Sequence, residues 1–174
     1  MIFVAIEAIR KRRSVRKYEE TGISDADVKQ VVETARYAPS WANKQGWHIL
    51  VVKNAETRAK VSGAIEGNPG ARAVLNAPVL IAVCMDPEGS GSLPGREYYM
   101  ADAGILMDHI MLEAADLGLG TVFIGMFDED KVRKALGVPE KYRIIGLTPL
   151  GIPAKTPGDR PRNDLADIVH WETW

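Results

Sequence analysis

Cysteine occurs once in the chain, at Cys84. An intrachain disulfide is therefore impossible, and so is a cysteine-rich metal site. Cys84 sits in an apolar run, Val79 to Met85, and reads as a buried structural thiol suited to a reducing compartment. Long hydrophobic runs are absent too. No stretch is apolar for the roughly 18 residues that a membrane span needs. The longest helical candidate, Tyr98–Leu117, is broken by Asp102, Asp108, His109, Glu113 and Asp116. Net charge is also lacking, at −1, so no global field draws the chain to nucleic acid or membrane. Any anion site must be local. Near the start, the basic cluster follows the partly apolar Met1–Ile9 instead of preceding it, and no signal-type cleavage site appears. The expectation is a cytoplasmic protein with neither membrane nor nucleic acid as a partner. The 174 residues, 46% apolar and 26% charged, suit one domain spanning 1–174 with its own core.

What is present is a mixed series of helical and strand patterns. Phe3–Lys11 has a short helical period. Ser24 followed by Asp27 resembles a capping box, and Val28, Val31, Val32 and Ala35 then mark one helix face. Ile49–Val52 reads as a strand and Ala55–Ile65 as a helix. Pro78–Met85 reads as a central strand covered on both faces. Asp86–Gly95 reads as a flexible loop. Tyr98–Leu117 predicts a helix about 30 Å long, fit to be a core helix or to pack against its own copy. Thr121–Ile124 and Tyr142–Leu150 read as strands around a helix at Asp128–Leu136 that stops at Gly137. Ile152–Trp174 reads as an extended tail carrying Pro153, Pro157 and Pro161. With no regular βαβ repeat, the pattern favours an α+β sheet covered by helices.

Four constellations carry possible chemistry. In Arg10–Lys17 all but Ser14 and Val15 are cationic, and planar guanidinium groups suit phosphate oxygens. On composition alone a solvated basic face, a nuclear-type signal or a nucleic-acid patch explains that segment better. Arg160 and Arg162 alternate on an extended backbone and can point the same way. Pro39–His48 combines hydroxyl, amide and aromatic groups suited to a heterocycle; a structured turn anchored by tryptophans explains it as well. Gly118–Gly125 superficially suggests a dinucleotide loop. It follows a helix and precedes a strand, the reverse of the order such loops need, so that reading is rejected. His109 and Glu113 lie four apart but lack a third ligand candidate.

Taken together, Arg12-Arg13-Ser14-Val15-Arg16, Pro39–Trp47, Leu117–Thr121 with Ile124-Gly125, and Arg160-Pro161-Arg162 resemble the nitroreductase family of FMN-dependent oxidoreductases. The resemblance implies a nitroreductase-like α+β fold, with a central mixed or antiparallel sheet. It implies a homodimer built on a long central helix, with FMN at the subunit interface. It implies hydride transfer from NADH or NADPH through the flavin to small electron-poor acceptors such as nitroaromatics and quinones, by a ping-pong mechanism. A dehalogenase or enone reductase of the same fold is the specialised alternative, and a non-catalytic flavin- or nucleic-acid-binding module the other. By the same resemblance Arg12, Ser14, Arg160 and Arg162 hold the phosphate, Arg13 is a neighbouring contact, and Arg16 lies near the flavin N1–O2 edge. Pro39, Ser40, Trp41, Asn43 and Gln45 reach the ring from the other subunit. Phe123 and Ile124 line the ring, and the Gly125 N–H faces N5. No side chain is expected to act as a catalytic residue, since the chemistry belongs to the flavin. Gly46 stands where relatives often carry proline, which is expected to loosen its loop. Asn68 lies close to a flavin-edge amide of larger relatives but out of register. Asp86–Glu97 is a compact connection where larger relatives carry more structure.

Overall fold

The computed structural model describes residues 4–174. The helix expected from Phe3 is α1, Val4–Lys11, with Phe3 itself outside the described residues. Helix α2 (Asp25–Ala35) begins where Ser24 Oγ accepts the Asp27 N–H at 3.0 Å, the expected cap. Its buried residues are Val28, Val31 and Ala35, spaced to make one inward stripe. A single 3₁₀ turn at Trp41–Asn43 leads into β1 (Trp47–Val52), and α3 (Ala55–Ala64) follows, capped by Asn54. Sequence patterning gave no helix over the next short stretch, yet α4 occupies Ala71–Asn76. Six residues are too few for periodicity to show. Then come β2 (Val79–Met85), a two-residue hairpin of β3 (Ser92–Leu93) and β4 (Arg96–Glu97), and α5 (Tyr98–Asp116). After it lie β5 (Gly120–Thr121), α6 (Glu129–Leu136), β6 (Arg143–Gly151) and the short α7 (Leu165–Ile168). Gly137 ends α6 in the left-handed region at φ 69°, as its position suggests.

The main sheet has the order β1-β2-β6-β5, with antiparallel ladders throughout. Every residue of β2 is buried. Alternation sends Leu80, Ala82 and Cys84 into one core, with Val61, Val74, Val132 and Leu147. It sends Ile81, Val83 and Met85 into the other, with Val28, Val31, Leu106 and Ile110. The sheet is thus covered on one face by α3, α4 and α6 and on the other by α2 and α5. Burial raises the Cys84 thiol pKa to about 11. No helix of the described residues is long and apolar enough to cross a membrane.

The basic segment after α1 is fastened along the sheet edge. Ser14 bridges Thr121 of β5 in parallel, and Val15 N–H donates to Thr121 O at 2.8 Å. Further on, Tyr18 bridges Pro153, and Glu19 N–H donates to Ile152 O at 2.9 Å. Val15 is buried against Gly120, where a Cβ would lie 2.8 Å from the Val15 Cβ. The Asp86–Gly95 stretch is more organised than a flexible loop. A 3₁₀ turn at Pro87–Gly89, buried Ser90 and Gly91, and the β3–β4 hairpin use it up.

Gly120→Ala should lower stability by about 1–3 kcal/mol, because the added methyl overpacks Val15 at the sheet edge. A thermal melt within error of wild type would contradict that packing. Cys84 should resist a thiol-specific disulfide reagent at pH 8 in the native protein and react fully in denaturant; rapid native labelling would show that the thiol is accessible.

Candidate functional site

Beside the Ser14 bridge, extended backbone alternates its side chains, so Ser14 and Arg16 face away from the core that Val15 enters. Val15 goes into the core; Arg12 and Ser14 are half-buried and Arg16 exposed.

Three clefts lie along this segment. One, of about 180 Å³, is lined by Arg16, Asn68, Pro69, Gly70 and Val122–Met126. Gly70 and Gly125 lie closely packed against its walls. A Cβ on Gly70 would come 2.5 Å from Ile124 Cδ1, and one on Gly125 would come 2.8 Å from the Phe123 ring. Ile124 is locked by paired main-chain bonds to Leu147, each 2.9 Å, while the Gly125 N–H donates to no acceptor among the described residues. Phe123 is 45% exposed and Met126 76%, so this cleft has an apolar, open rim.

A second cleft, of about 470 Å³, is lined by Ile9, Arg10, Arg13, Asp159, Arg160 and Arg162. Four guanidinium groups face a single carboxylate there. Arg13 is held in place: it donates to Arg10 O at 2.6 Å and Arg12 O at 3.0 Å, and it pairs with Asp159. It thereby ties the C-terminal tail to the end of α1. Arg162 donates to Arg160 O at 3.1 Å. With Asp159 engaged, the remaining positive charge is uncompensated and suits an anion. The third cleft, about 140 Å³, holds Lys11, Arg12, Arg13, Ala115, Thr121 and Thr156 among its lining residues.

The sequence-predicted residues are therefore partly brought together. Phe123, Ile124 and Gly125 share a cleft with Arg16. Arg160 and Arg162 share one with Arg13, whereas Arg12 lies in the adjoining cleft, with Arg13 common to both. Ser14 sits between them in the ladder. Among the residues given no role in the sequence, Arg10 and Asn68 are the polar ones that most shape the clefts. Arg10 joins Arg160 and Arg162; its place in the last turn of α1 was the available signal. Asn68, which lies out of register with the flavin-edge amide of larger relatives, lines the first cleft. Its Nδ2 donates to Met126 O at 2.6 Å and its Oδ1 accepts the Gly70 N–H at 2.7 Å, which clamps the two walls of the first cleft.

Pro39, Ser40, Trp41, Asn43 and Gln45 line none of these clefts. Their loop hangs from the other end of α5, where Asp102 Oδ1 accepts the Trp41 N–H at 2.9 Å. Ser40 Oγ accepts the Gln45 N–H at 2.9 Å and closes the turn. Within it Ala42, Asn43 and Gln45 have φ of 48°, 55° and 52°, left-handed values that cost a non-glycine residue about 1–2 kcal/mol each. Gly46 does not loosen this loop. Its backbone packs on Gly89, where a Cβ would lie 2.7 Å from the Gly89 carbonyl oxygen, and Asp86 N–H donates to Gly46 O at 2.8 Å. Glycine is what permits that contact.

The Nitroreductase family model matches residues 9–71 and 64–152. A Methanothermobacter thermautotrophicus relative, whose name carries both NADH dehydrogenase and NAD(P)H nitroreductase, is 35% identical over 173 residues, covering 97% of this chain and 87% of the relative. A Bacillus subtilis protein named FMN reductase (NAD(P)H) is 27% identical over 187 residues, covering 97% of this chain and 74% of the relative. The crystal structure of a nitroreductase family protein from Clostridium novyi NT superposes with a TM-score of 0.81 at 40% identity, covering 85% of each chain. With a helix-covered α+β sheet, its arginine-rich edge and matches along nearly its whole length, this chain belongs to the nitroreductase family of oxidoreductases.

Proposed function

We propose that the protein is a homodimeric FMN-dependent oxidoreductase. In this reading it takes hydride from NADH or NADPH and passes it to small electron-poor acceptors such as nitroaromatics or quinones. The names of its relatives, which include NAD(P)H nitroreductase and FMN reductase, support both the donor and the flavin. The observation that carries the reading is the edge segment: one extended stretch has a dense arginine cleft near one end and an open glycine-walled cleft at the other.

The residues fit FMN on charge and shape. A phosphate monoester carries roughly −1.5 to −2 charge near neutral pH, which the arginine clefts match. In the first cleft the free Gly125 amide offers a donor to a ring nitrogen, and Arg16 offers positive charge at the rim. When bound, FMN supplies a ring that accepts hydride from a nicotinamide and yields it to an acceptor. The protein's share is to hold the phosphate, stabilise negative charge with Arg16 and leave the ring's outer face open.

Helix α5 supports the dimer. Its inner face is buried, but Met100 is 51% and Ile105 37% exposed on the other side, with Gly104 between them. A mid-helix glycine costs about 1 kcal/mol against alanine. A Cβ on Gly104 would meet nothing within this chain. Close approach of a second α5 explains that glycine. Asp102, which carries the Trp41 loop, and Ala115, beside Arg12, are about 20 Å apart on the helix. Two antiparallel copies of α5 would set the loop of each subunit beside the clefts of the other.

Purified protein should bind FMN and turn yellow. Arg12→Ala and Arg162→Ala should each weaken FMN about 10- to 100-fold in a fluorescence titration, the loss expected for a charge-assisted hydrogen bond. Arg16→Ala should affect the rate of flavin reduction in stopped flow more than affinity. Unchanged affinity in both of the first two variants would refute the phosphate site. Light scattering should report a dimer that Gly104→Leu shifts toward monomer with loss of FMN; a monomer retaining tight FMN would refute the interface site.

A further inference from the structure

Asp102 lies on the inner face of α5, 4% exposed, among apolar side chains. Burying a carboxylate is costly unless its oxygens are satisfied. Here each has one neutral partner. Oδ1 accepts the Trp41 N–H at 2.9 Å, and Oδ2 accepts the Ser90 hydroxyl at 2.8 Å. No ion pair among the described residues involves Asp102. The carboxylate thus joins three pieces of chain: the helix, the Pro39–Trp47 loop and the Asp86–Glu97 connection.

What it holds is under strain. Beyond Trp41 the turn has three non-glycine residues in the left-handed region, Ala42, Asn43 and Gln45. Such conformations persist only where surrounding structure enforces them. Asp102 fixes the main chain at the root of the turn. The Trp41 ring packs closely on Gly91, where a Cβ would lie 2.4 Å from a ring carbon. Ser40 closes the far side through Gln45. The tip bearing Asn43 and Gln45 stays exposed, and nothing in its own chain's clefts uses it.

We propose that Asp102 is a positioning residue that holds the Trp41–Gln45 turn of one subunit in the conformation that completes the flavin site of the other. This rests on the FMN reading above. The carboxylate touches no cofactor; it acts through the backbone of Trp41, with Ser90 orienting it.

Asp102→Ala removes both acceptors, while Asp102→Asn keeps one for the Trp41 N–H. In Asp102→Ala, amide exchange over residues 41–46 should quicken and the FMN dissociation constant should rise about 10-fold or more. Asp102→Asn should restore most of both. Ser90→Ala, a milder change, should move both in the same direction and serves if Asp102→Ala does not fold. The decisive arm pairs chains carrying Asp102→Ala with chains carrying Arg162→Ala, co-expressed with different tags. The mixed dimer should bind one FMN with wild-type affinity, because one of its sites draws an intact arginine cleft from one chain and an intact turn from the other. Two weakened sites in the mixed dimer, or faster exchange without any change in FMN affinity, would overturn the proposal. Wild-type protein that takes up no FMN would overturn the functional reading as well, whereas normal binding by a folded Asp102→Ala variant would overturn this inference alone.

Discussion

The docking of residues 14–19 against the sheet edge is the constraint on which the site depends. A strand edge presents unpaired main-chain groups, and here the chain's own N-terminal segment satisfies them. The Val15 amide on Thr121 and the Glu19 amide on Ile152 fix the register. With the register fixed, alternation decides which side chains enter the core and which face the clefts. A slip of one residue would exchange Val15 for Ser14 or Arg16 in the core.

The second organising element is α5. It packs its apolar stripe on β2 and β6, and its two ends carry different parts of the site. Asp102 near the start holds a strained loop; Ala115 near the end borders the Arg12 cleft. One chain therefore contains both halves of a candidate binding site but keeps them apart. That separation is the physical reason the proposed function includes a dimer, in which the loop of one copy would meet the clefts of the other.

Electrostatics act locally throughout. The chain is nearly neutral, yet four arginines share one cleft because two distant segments are tied there through Arg13 and Asp159. An ion pair at a partly exposed site contributes little stability by itself. Its value here is positional, since it brings Arg160 and Arg162 to the end of α1.

Much of this was legible in the sequence. The all-apolar β2, the capped α2 and the stop at Gly137 follow from local patterns, because periodicity, caps and left-handed turns need only neighbours along the chain. Gly125, Phe123 and the arginines were recognisable by residue type and order. Their grouping was not: that Arg10 joins Arg160 and Arg162, while Arg12 lies in the adjoining cleft, depends on contacts between segments about 150 residues apart. Asn68 became interpretable only when its amide was seen clamping two loops. Gly46 changed from a loose point to a close backbone contact for the same reason. Asp102 was visible as a charge in an apolar helix, but what it holds was decided by tertiary structure, since hydrogen-bond partners 12 and 61 residues away leave no local trace.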